Sequence, residues 1–285
     1  MNRWGFALLT VLWLLVTLTA VGAAALAVAR LGAGASRNRI ALMRGAWARE
    51  ACAEILLARY PQRGVVAGLD TTDLGRGTWC RATVEDASAR LDLNRAPREI
   101  LRALLGSDSL TDALLDWRDS DGAPRENGAE AEWYRAQGRR LPRNGPLADV
   151  AELGFVRGFD GARMAALRPD VTVRGAGQID VNAAAPAVLA TLPAFGAEAV
   201  GLVVRRRERG LPVRSGDELL SLLSPSARQT LLSRYQDYSL QAGYSPLRVV
   251  VRIEGGVRGA APVSAARLTV VPLPERLAVI RREVE

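Results

Sequence analysis

The stretch WGFALLTVLWLLVTLTAVGAAALAVA, from Trp4 to Ala29, carries no charged side chain. An uncharged apolar run of this length can cross a bilayer as one helix. Arg3 and the amino terminus precede it, which places the N-terminus in the cytoplasm and the rest of the chain outside. A cleaved secretory signal is the alternative, but the run is longer than the apolar core of such a signal. We therefore predict a membrane-spanning helix over residues 6–29.

The residues that follow the apolar run continue in a helical register. Ile40, Met43 and Trp47 recur at spacings of three or four residues, with arginines between them. The helix is expected to end near Pro61. The sequence therefore predicts one long helix, apolar in its first half and amphipathic in its second.

Segments with strand patterns flank a long helical region. The alternation in TWCRATVED (Thr78–Asp86) predicts a strand, whereas GLDTTDLGRG before it has the composition of a loop. LRVVVRIEGG, AARLTVVPLP and RLAVIRREVE near the C-terminus are rich in Val and Ile, and Gly255-Gly256 predicts a turn. From Asn94 to Leu240, short amphipathic segments bounded by Gly, Pro, Ser or Asp predict helices.

These patterns predict an α+β fold. A spine helix that begins in the membrane packs on a small antiparallel sheet, and a large all-α domain is inserted between the strands. The expected boundaries are a leader at 1–5, the membrane-spanning part at 6–29, the amphipathic half of the helix with the first strands at 30–93, the inserted domain at 94–240 and the C-terminal strands at 241–285.

The composition excludes a large set of catalytic mechanisms and most zinc sites. The chain has no His and two Cys, so it can form neither a Ser-His-Asp triad nor a zinc site ligated by His or by four thiolates. Arginine supplies every basic residue, and the net charge is +8, which permits an anionic partner such as nucleic acid or phospholipid. We expect a protein that is not an enzyme.

The two cysteines are expected on elements that pack together, Cys52 on the long helix and Cys80 on the first strand. A disulfide between them is one interpretation if this part of the chain lies in an oxidising compartment. Two buried thiols are the other interpretation, and the sequence leaves both open.

DWRDSDGAPRENGAEAEWY, residues 116–134, is rich in carboxylates. Asp119-Ser120-Asp121-Gly122 is half of a calcium-loop pattern, with carboxylates at alternate positions before a glycine turn. The loop is not an EF-hand, because Gly128 stands where the bidentate Glu belongs. A calcium site and a solvated acidic loop both fit the residues. Acid–base catalysis by paired carboxylates fits less well, since no aromatic sugar-binding platform is evident.

The amino-terminal segment combines a short positive leader, Gly5-Phe6 and an unbroken apolar helix, which resembles the N-terminus of type IV pilins and pseudopilins. The resemblance implies cleavage by prepilin peptidase between Gly5 and Phe6 and methylation of the new amino-terminal Phe6. Most of that superfamily carries Glu at the fifth mature position, where this chain has Thr10. That Glu neutralises the amine of the adjacent subunit inside the membrane, so a subunit without it suits the end of a filament.

DLNRAP, LLDWRDSDGAPRENGAEAEWY, RNGPLADVAEL and QIDVNAAAPAVL occur in this order. With Thr10, they make the chain similar over its length to the general secretion pathway protein K family, minor pseudopilins of the type II secretion system. The resemblance implies a subunit that caps the tip of the periplasmic pseudopilus and helps initiate its assembly, for export of folded proteins across the outer membrane.

The same resemblance implies the partners and ligands of the chain. The partners are the minor pseudopilins I and J, the major pseudopilin and secreted substrates, and the inner membrane holds the anchor while the C-terminal domain lies in the periplasm. It also implies Ca²⁺ at Asp119, Asp121 and Glu130. Relatives often have a second acidic residue after that Glu, and Ala131 stands here, which weakens the case for a second metal.

A repeated motif supports an alternative function. LDLNRAPREILRALL from Leu91 and IDVNAAAPAVLATLP from Ile179 share their Asp, Asn and apolar positions. Similar motifs open helix-hairpin-helix modules, in which a Gly-x-Gly turn binds phosphate. A membrane-anchored DNA receptor, with VRRRERG as its basic run, is therefore the alternative.

Two features disfavour nucleic-acid binding by the repeat. Ala194-Phe195-Gly196 lacks the first glycine of the turn, and Asp108 near the corresponding turn of the first copy would repel phosphate. The preferred interpretation is a structural repeat, in which Asn94 and Asn182 cap the helices that follow them. The basic run is then a solvated helix face.

Overall fold

A long helix, α1 (Arg3–Arg63), opens the computed structural model, which describes residues 3–63, 68–260 and 264–284. At about 1.5 Å per residue, it is about 90 Å long. Its stretch from Leu9 to Tyr60 contains 18 consecutive residues with a mean hydropathy of 2.3, and none of these 18 residues is buried against the rest of the chain. By length and composition, this helix can cross a membrane. The predicted continuous helix is confirmed.

The remaining elements form a sheet and an inserted domain. The sheet contains β1 (Leu69–Gly75), β2 (Thr78–Asp86), β7 (Val249–Val257), β8 (Ser264–Pro272) and β9 (Leu277–Val284). Between β2 and β7 lie a 3-10 turn (Ala87–Ala89), β3 (Leu91–Asp92), α2 (Arg98–Leu105), α3 (Asp108–Arg118), α4 (Ala131–Ala136), a second 3-10 segment (Val150–Phe155), α5 (Gly161–Leu167), β4 (Val171–Thr172), β5 (Ile179–Asp180), α6 (Pro186–Leu189), α7 (Ala197–Glu208), α8 (Gly216–Leu222), α9 (Pro225–Ser233), α10 (Tyr235–Gln241) and β6 (Ala242–Gly243).

The sheet is antiparallel, in the order β1-β2-β7-β8-β9. α1 packs on β2, β7 and β8 through a buried stripe in which residues recur every fourth position. The stripe consists of Ala48, Cys52, Leu56 and Tyr60. This spacing places all four side chains on one helix face. The predicted α+β fold, with a spine helix on a sheet and a helical domain between the strands, is confirmed.

The chain leaves the sheet after Asp86 and returns to it at Val249. The sequence placed the inserted domain at 94–240, where the helical segments lie, and these bounds leave out β3 and β6. In the structure β3 pairs in parallel with β4, and β5 with β6, all inside the inserted domain. Buried apolar residues from Leu91 to Ala242 form a core separate from the one that α1 shares with the sheet.

The sequence predicted a loop at residues 68–77, and this is wrong. Leu69–Gly75 is the edge strand β1, joined to β2 through Arg76 and Gly77, which have φ values of 52° and 72°. Positive φ at both central residues is the geometry of a tight two-residue hairpin turn. Leu69 is the one fully buried residue of the strand, so the polar residues after it lack the apolar alternation that predicts strands.

The predicted turn at Gly255-Gly256 is also wrong, because both residues lie inside β7. A Cβ on Gly255 would come within 2.4 Å of the Gly45 carbonyl oxygen of α1. A Cβ on Gly256 would come within 2.8 Å of the Trp79 ring. These glycines mark a close approach of helix and strand rather than a change of chain direction.

Cys52 and Cys80 are joined by a disulfide, with their Cα atoms 6.0 Å apart. Both residues are fully buried between α1 and the sheet. Cys80 lies on the second strand rather than the first, because β1 precedes it. The covalent bond therefore ties the spine helix to the sheet at the centre of their shared core.

Polar contacts hold the inserted domain to the sheet. Oγ of Ser88, just after β2, accepts hydrogen bonds from the N–H groups of Leu247 and Arg248 at 3.2 Å each. Arg174 of the inserted domain pairs with Glu283 of β9 at 3.1 Å. The first contact joins the two segments by which the chain leaves the sheet and returns to it. The second adds a link between the inserted domain and the last strand of the sheet.

Candidate functional site

The loop between α3 and α4 brings together the three carboxylates that the sequence selected. Asp119 follows the last turn of α3, and Glu130 stands directly before α4. One carboxylate oxygen from each of Asp119, Asp121 and Glu130 lies within 4.8 Å of the others. Oxygen ligands around one Ca²⁺ ion, bound at about 2.3–2.6 Å, lie within about 5 Å of one another. The spacing therefore fits a single cation.

Buried oxygens of two of these carboxylates, those of Glu130 and Asp119, lack hydrogen-bond partners among the described residues. Glu130 is 4% exposed, and neither of its carboxylate oxygens has a hydrogen-bond partner among the described residues. Oδ1 of Asp119 is likewise buried and has no hydrogen-bond partner among the described residues. Burial raises the pKa of Glu130, and the charges of Asp116 and Asp119 raise it further. A buried carboxylate oxygen without a partner is costly, and an all-oxygen donor set without His or Cys suits Ca²⁺.

Arg125 and Gly128 shape the rest of this loop. The Arg125 guanidinium donates to both Asp116 and Asp119. Asp116 is fully buried, and a Cβ on Gly128 would come within 1.8 Å of its Oδ2. No side chain fits at the position where an EF-hand carries its bidentate Glu. The loop carries four carboxylates, those of Asp116, Asp119, Asp121 and Glu130. The single Arg125 guanidinium does not balance them, so the loop has a negative net charge.

The first copy of the repeated motif is held by an asparagine side chain. Oδ1 of Asn94 accepts from the Leu147 N–H at 2.8 Å. Its Nδ2 donates to the carbonyls of Leu147 at 3.0 Å and Val173 at 3.4 Å. One amide group thus joins the motif to two segments that lie far along the chain.

The second copy repeats this arrangement. Oδ1 of Asn182 accepts from the Val213 N–H at 2.8 Å. Its Nδ2 donates to the carbonyls of Val213 at 2.7 Å and Tyr244 at 3.0 Å. The matching contacts support a structural role for both copies.

The sequence predicted that Asn94 and Asn182 cap the following helices, and this is wrong. The N-cap positions of α2 and α6 are Pro97 and Ala185, and neither makes a side-chain capping bond. Pro186 stands in the first turn of α6. The asparagine amides instead satisfy backbone groups of neighbouring segments, which a sequence read one helix at a time does not reveal.

A pair of carboxyl groups lies where the sheet meets the inserted domain. Asp86 ends β2, Asp180 belongs to β5, and their side chains share a hydrogen bond. Asp180 is 3% exposed, and its Oδ1 accepts from the Asn182 N–H at 2.8 Å. Burial raises the pKa of Asp180 to about 6, and the charge of Asp86 adds to the rise. Burial also raises the pKa of Asp86.

The Asp180→Asn variant should be more stable than the wild type at pH 7.5 and nearly equal to it at pH 4. The folded protein binds the Asp180 proton more tightly than the unfolded chain, so the wild type loses stability as the pH rises from about 4 through about 6. The shift from 3.8 to about 6 corresponds to about 3 kcal/mol. Asn keeps the acceptor for Asn182 and carries no charge.

Urea unfolding of both proteins across this pH range checks the expectation. The exposed Asp70→Asn variant is the control and should follow the wild type. A difference between Asp180→Asn and the wild type that stays constant from pH 4 to pH 7.5 would contradict the assignment.

Two of the arginines in VRRRERG are engaged within the chain. Arg206 pairs with Glu218 at 2.7 Å. Arg207 donates to the carbonyls of Asn182 at 3.3 Å and Ala184 at 2.8 Å. The sequence interpretation of a solvated helix face does not hold for these two side chains. Arg206 joins α7 to α8, and Arg207 braces the second copy of the motif.

The turns of the two copies also differ from a phosphate-binding hairpin. Ala194 has φ 57°, in the left-handed region that favours glycine. In the first copy, Asp108 accepts hydrogen bonds from Arg98 at 2.8 Å and Arg102 at 2.9 Å. Arg98 and Arg102 near that turn are therefore paired with a carboxylate rather than available to a phosphate.

The structure thus combines a helix of membrane-spanning length, an antiparallel sheet and a helical domain inserted between two of its strands. Residues 83–176 match the family model of type II secretion system (T2SS), protein K. This match covers three of the four stretches that suggested the family, and QIDVNAAAPAVL follows it.

Two curated relatives carry the same description. Type II secretion system protein K of Klebsiella pneumoniae is 34% identical over 173 residues, which are 52% of this chain and 53% of that protein. Its namesake from Dickeya chrysanthemi is 38% identical over 87 residues, which are 29% and 24% of the two chains. The matched region thus spans about half of the first relative and about a quarter of the second.

The fold is similar to a chain in the crystal structure of the GspK-GspI-GspJ complex from the enterotoxigenic Escherichia coli type 2 secretion system. The TM-score is 0.64 at 16% identity, over 88% of this chain and 99% of that chain. At this identity the likeness concerns the fold. The family model, the curated relatives and the fold therefore agree that the chain is similar to protein K of type II secretion systems.

Proposed function

We propose that the chain is a structural subunit of a type II secretion system that caps the tip of the periplasmic pseudopilus and helps initiate its assembly. Export of folded proteins across the outer membrane would depend on that assembly. The N-terminus lies in the cytoplasm, α1 crosses the inner membrane, and the sheet and inserted domain lie in the periplasm. The observation that carries the proposal is the exposed apolar spine joined to a sheet with a large helical insertion.

The amphipathic half of α1 has a second apolar face that the sheet does not cover. Ile40 is 51% exposed, Met43 67% and Trp47 68%. At helical spacing these three side chains lie together, turned away from the stripe of Ala48 and Cys52 that packs on the sheet. Exposed apolar faces of this kind mark contacts with partners, and spine helices of neighbouring pseudopilins present matching apolar surfaces.

Two further features support a position at the end of the filament. Thr10 provides no carboxylate to pair with the amine of an adjacent subunit in the membrane, where an unpaired charge is costly. The inserted domain, residues 87–248, lies between β2 and β7. Its bulk would block the addition of further subunits above this one. The partners proposed for this chain are the I and J minor pseudopilins of its own system, then the major pseudopilin below them.

Co-purification with the cognate I and J minor pseudopilins tests the assembly. The full chain should capture both partners from detergent extracts, and Trp47→Asp should lose them, because a charge on the apolar face cannot pack against another spine. Leu211→Asp is the matched control, since Leu211 is 51% exposed on the inserted domain. Retention of both partners by Trp47→Asp, or equal loss with both variants, would contradict the proposed interface. Salt-sensitive binding of duplex DNA by the full chain would favour the DNA receptor.

The acidic loop is proposed to hold one Ca²⁺ ion through Asp119, Asp121 and Glu130. The support is the three converging carboxylates and the buried oxygens of Asp119 and Glu130 that have no partner among the described residues. The ion would neutralise these charges and fix the connection between α3 and α4. It would therefore stabilise the inserted domain rather than take part in a reaction.

Calcium should raise the melting temperature of the full chain, and a chelator should reverse the effect. At a free concentration a hundred times its dissociation constant, the ion adds about 2.7 kcal/mol. Glu130→Gln should abolish the response to calcium, whereas Glu126→Gln, on an exposed residue of the same loop, should retain it. A wild type that melts at the same temperature with calcium and with chelator would refute the site.

A further inference from the structure

A cavity of about 190 Å³ lies at the seam between the sheet and the inserted domain. Val250 of β7 contributes to its wall from the sheet, and Val171 and Thr172 of β4 contribute from the inserted domain. Glu85 and Val250 are cross-strand partners and so share a sheet face. α1 covers the opposite face through Cys80 and Val251. The cavity therefore lies on the face of the sheet opposite the spine helix.

The wall of this cavity carries an excess of positive charge. Its charged side chains are Arg90, Arg168, Arg174, Arg267, Glu85 and Asp149. Glu85 pairs with Arg90 at 2.6 Å, and this contact neutralises one guanidinium. Nη2 of Arg174 pairs with Glu283 of β9 at 3.1 Å, and Glu283 also lies 4.0 Å from Arg267. Nη1 of Arg174 lies 3.8 Å from Asp149 in the wall, beyond hydrogen-bond distance.

Two of the guanidinium groups have hydrogen-bonding capacity left. The Arg174 side chain is 13% exposed, and its Nε is buried without a partner among the described residues. Arg168 makes no side-chain hydrogen bond or ion pair within the part of the chain that the structure describes. Arg267 faces the same space from β8. Guanidinium groups that converge in this way are suited to oxyanions, which accept several charge-assisted hydrogen bonds.

We propose that this cleft binds a small oxyanion of the size and charge of phosphate or sulfate. Arg168 and Arg174 would hold it from the inserted domain and Arg267 from the sheet, so that the anion joins the two bodies. A cavity of about 190 Å³ is smaller than the roughly 300 Å³ and more that drug-sized ligands occupy, which favours a small ion. The inference is independent of the function proposed above.

Calorimetric titration of the full chain in detergent with inorganic phosphate tests the site, with sodium chloride at the same ionic strength as the reference. The wild type should show saturable binding of phosphate and none of chloride. Arg168→Gln should bind about tenfold more weakly, since it loses a charged donor. Arg163→Gln is the matched control, because Arg163 lies on α5 outside the cavity wall and pairs locally with Asp160 at 4.0 Å.

The melting temperature gives a second measurement. Phosphate stabilises most folded proteins because it is excluded from their surface. Stabilisation by binding at this site is the part that Arg168→Gln loses and Arg163→Gln keeps. Absence of saturable binding in the wild type, or equal binding by the two variants, would overturn the proposal. Arg168 is exposed, so its replacement leaves the fold intact.

Discussion

Asn182→Ala should destabilise the protein by about 3–5 kcal/mol, because the substitution leaves buried backbone groups without partners. Its side chain serves the N–H and carbonyl of Val213 and the carbonyl of Tyr244. Val213 is 1% exposed, so water does not readily replace the lost donor and acceptor. Asn94→Ala should have a similar effect, because Asn94 makes the equivalent contacts with Leu147 and Val173.

Equilibrium unfolding in urea measures both variants. Asn127→Ala is the matched control, since Asn127 is exposed and its side chain makes one long contact, 3.3 Å, with Asp112. The control should lose less than about 1 kcal/mol. Losses of that small size for Asn94→Ala and Asn182→Ala would show that the repeated asparagines do not hold the inserted domain together.

Removal of the disulfide should lower the stability of the spine-and-sheet body by about 3–4 kcal/mol. Cys52 and Cys80 are separated by 28 residues, and the bond restricts the unfolded chain by an amount that grows with the logarithm of this loop. Both side chains are fully buried, so the Cys52→Ala/Cys80→Ala double variant is preferable to serine, which would bury a hydroxyl. α1 should then detach from the sheet at lower urea concentration.

Reduction of the wild type supplies the control for this prediction. The reduced wild type and the double alanine variant should unfold at similar urea concentrations, both below the oxidised wild type. Free thiols in protein isolated from an oxidising compartment, or an unchanged midpoint on reduction, would contradict a stabilising bond.

The sequence predicted the elements whose signals are local and strong. The uncharged run from Trp4 to Ala29 specifies the helix, and the alternation in Thr78–Asp86 specifies β2. The acidic loop was recognisable because alternate carboxylates precede a glycine, and the structure brings Asp119, Asp121 and Glu130 together.

The features that the sequence concealed depend on contacts between distant segments. Gly255 had the signature of a turn, but the close approach of α1 at Gly45 requires glycine there. β1 was missed because an edge strand with one buried side chain has no alternation. The sequence did not identify Arg125 as a partner of two carboxylates in the acidic loop. Its position inside an acidic run indicates such a role. The role of Asn94 likewise became clear only from its partners at residues 147 and 173.

The mass of the mature chain tests whether the protein is a pseudopilin-type subunit inserted in the inner membrane. The full chain is co-expressed with prepilin peptidase and its N-terminus is analysed by mass spectrometry. Gly5 and Phe6 lie in the first turns of α1, and we expect loss of residues 1–5 and a methylated Phe6. Replacement of Gly5 by a bulky residue should block the cut and serves as the control. A chain that keeps residues 1–5 in the presence of active peptidase is not a pseudopilin-type subunit. Neither is a chain that is cut after the apolar run, as a secretory signal would be.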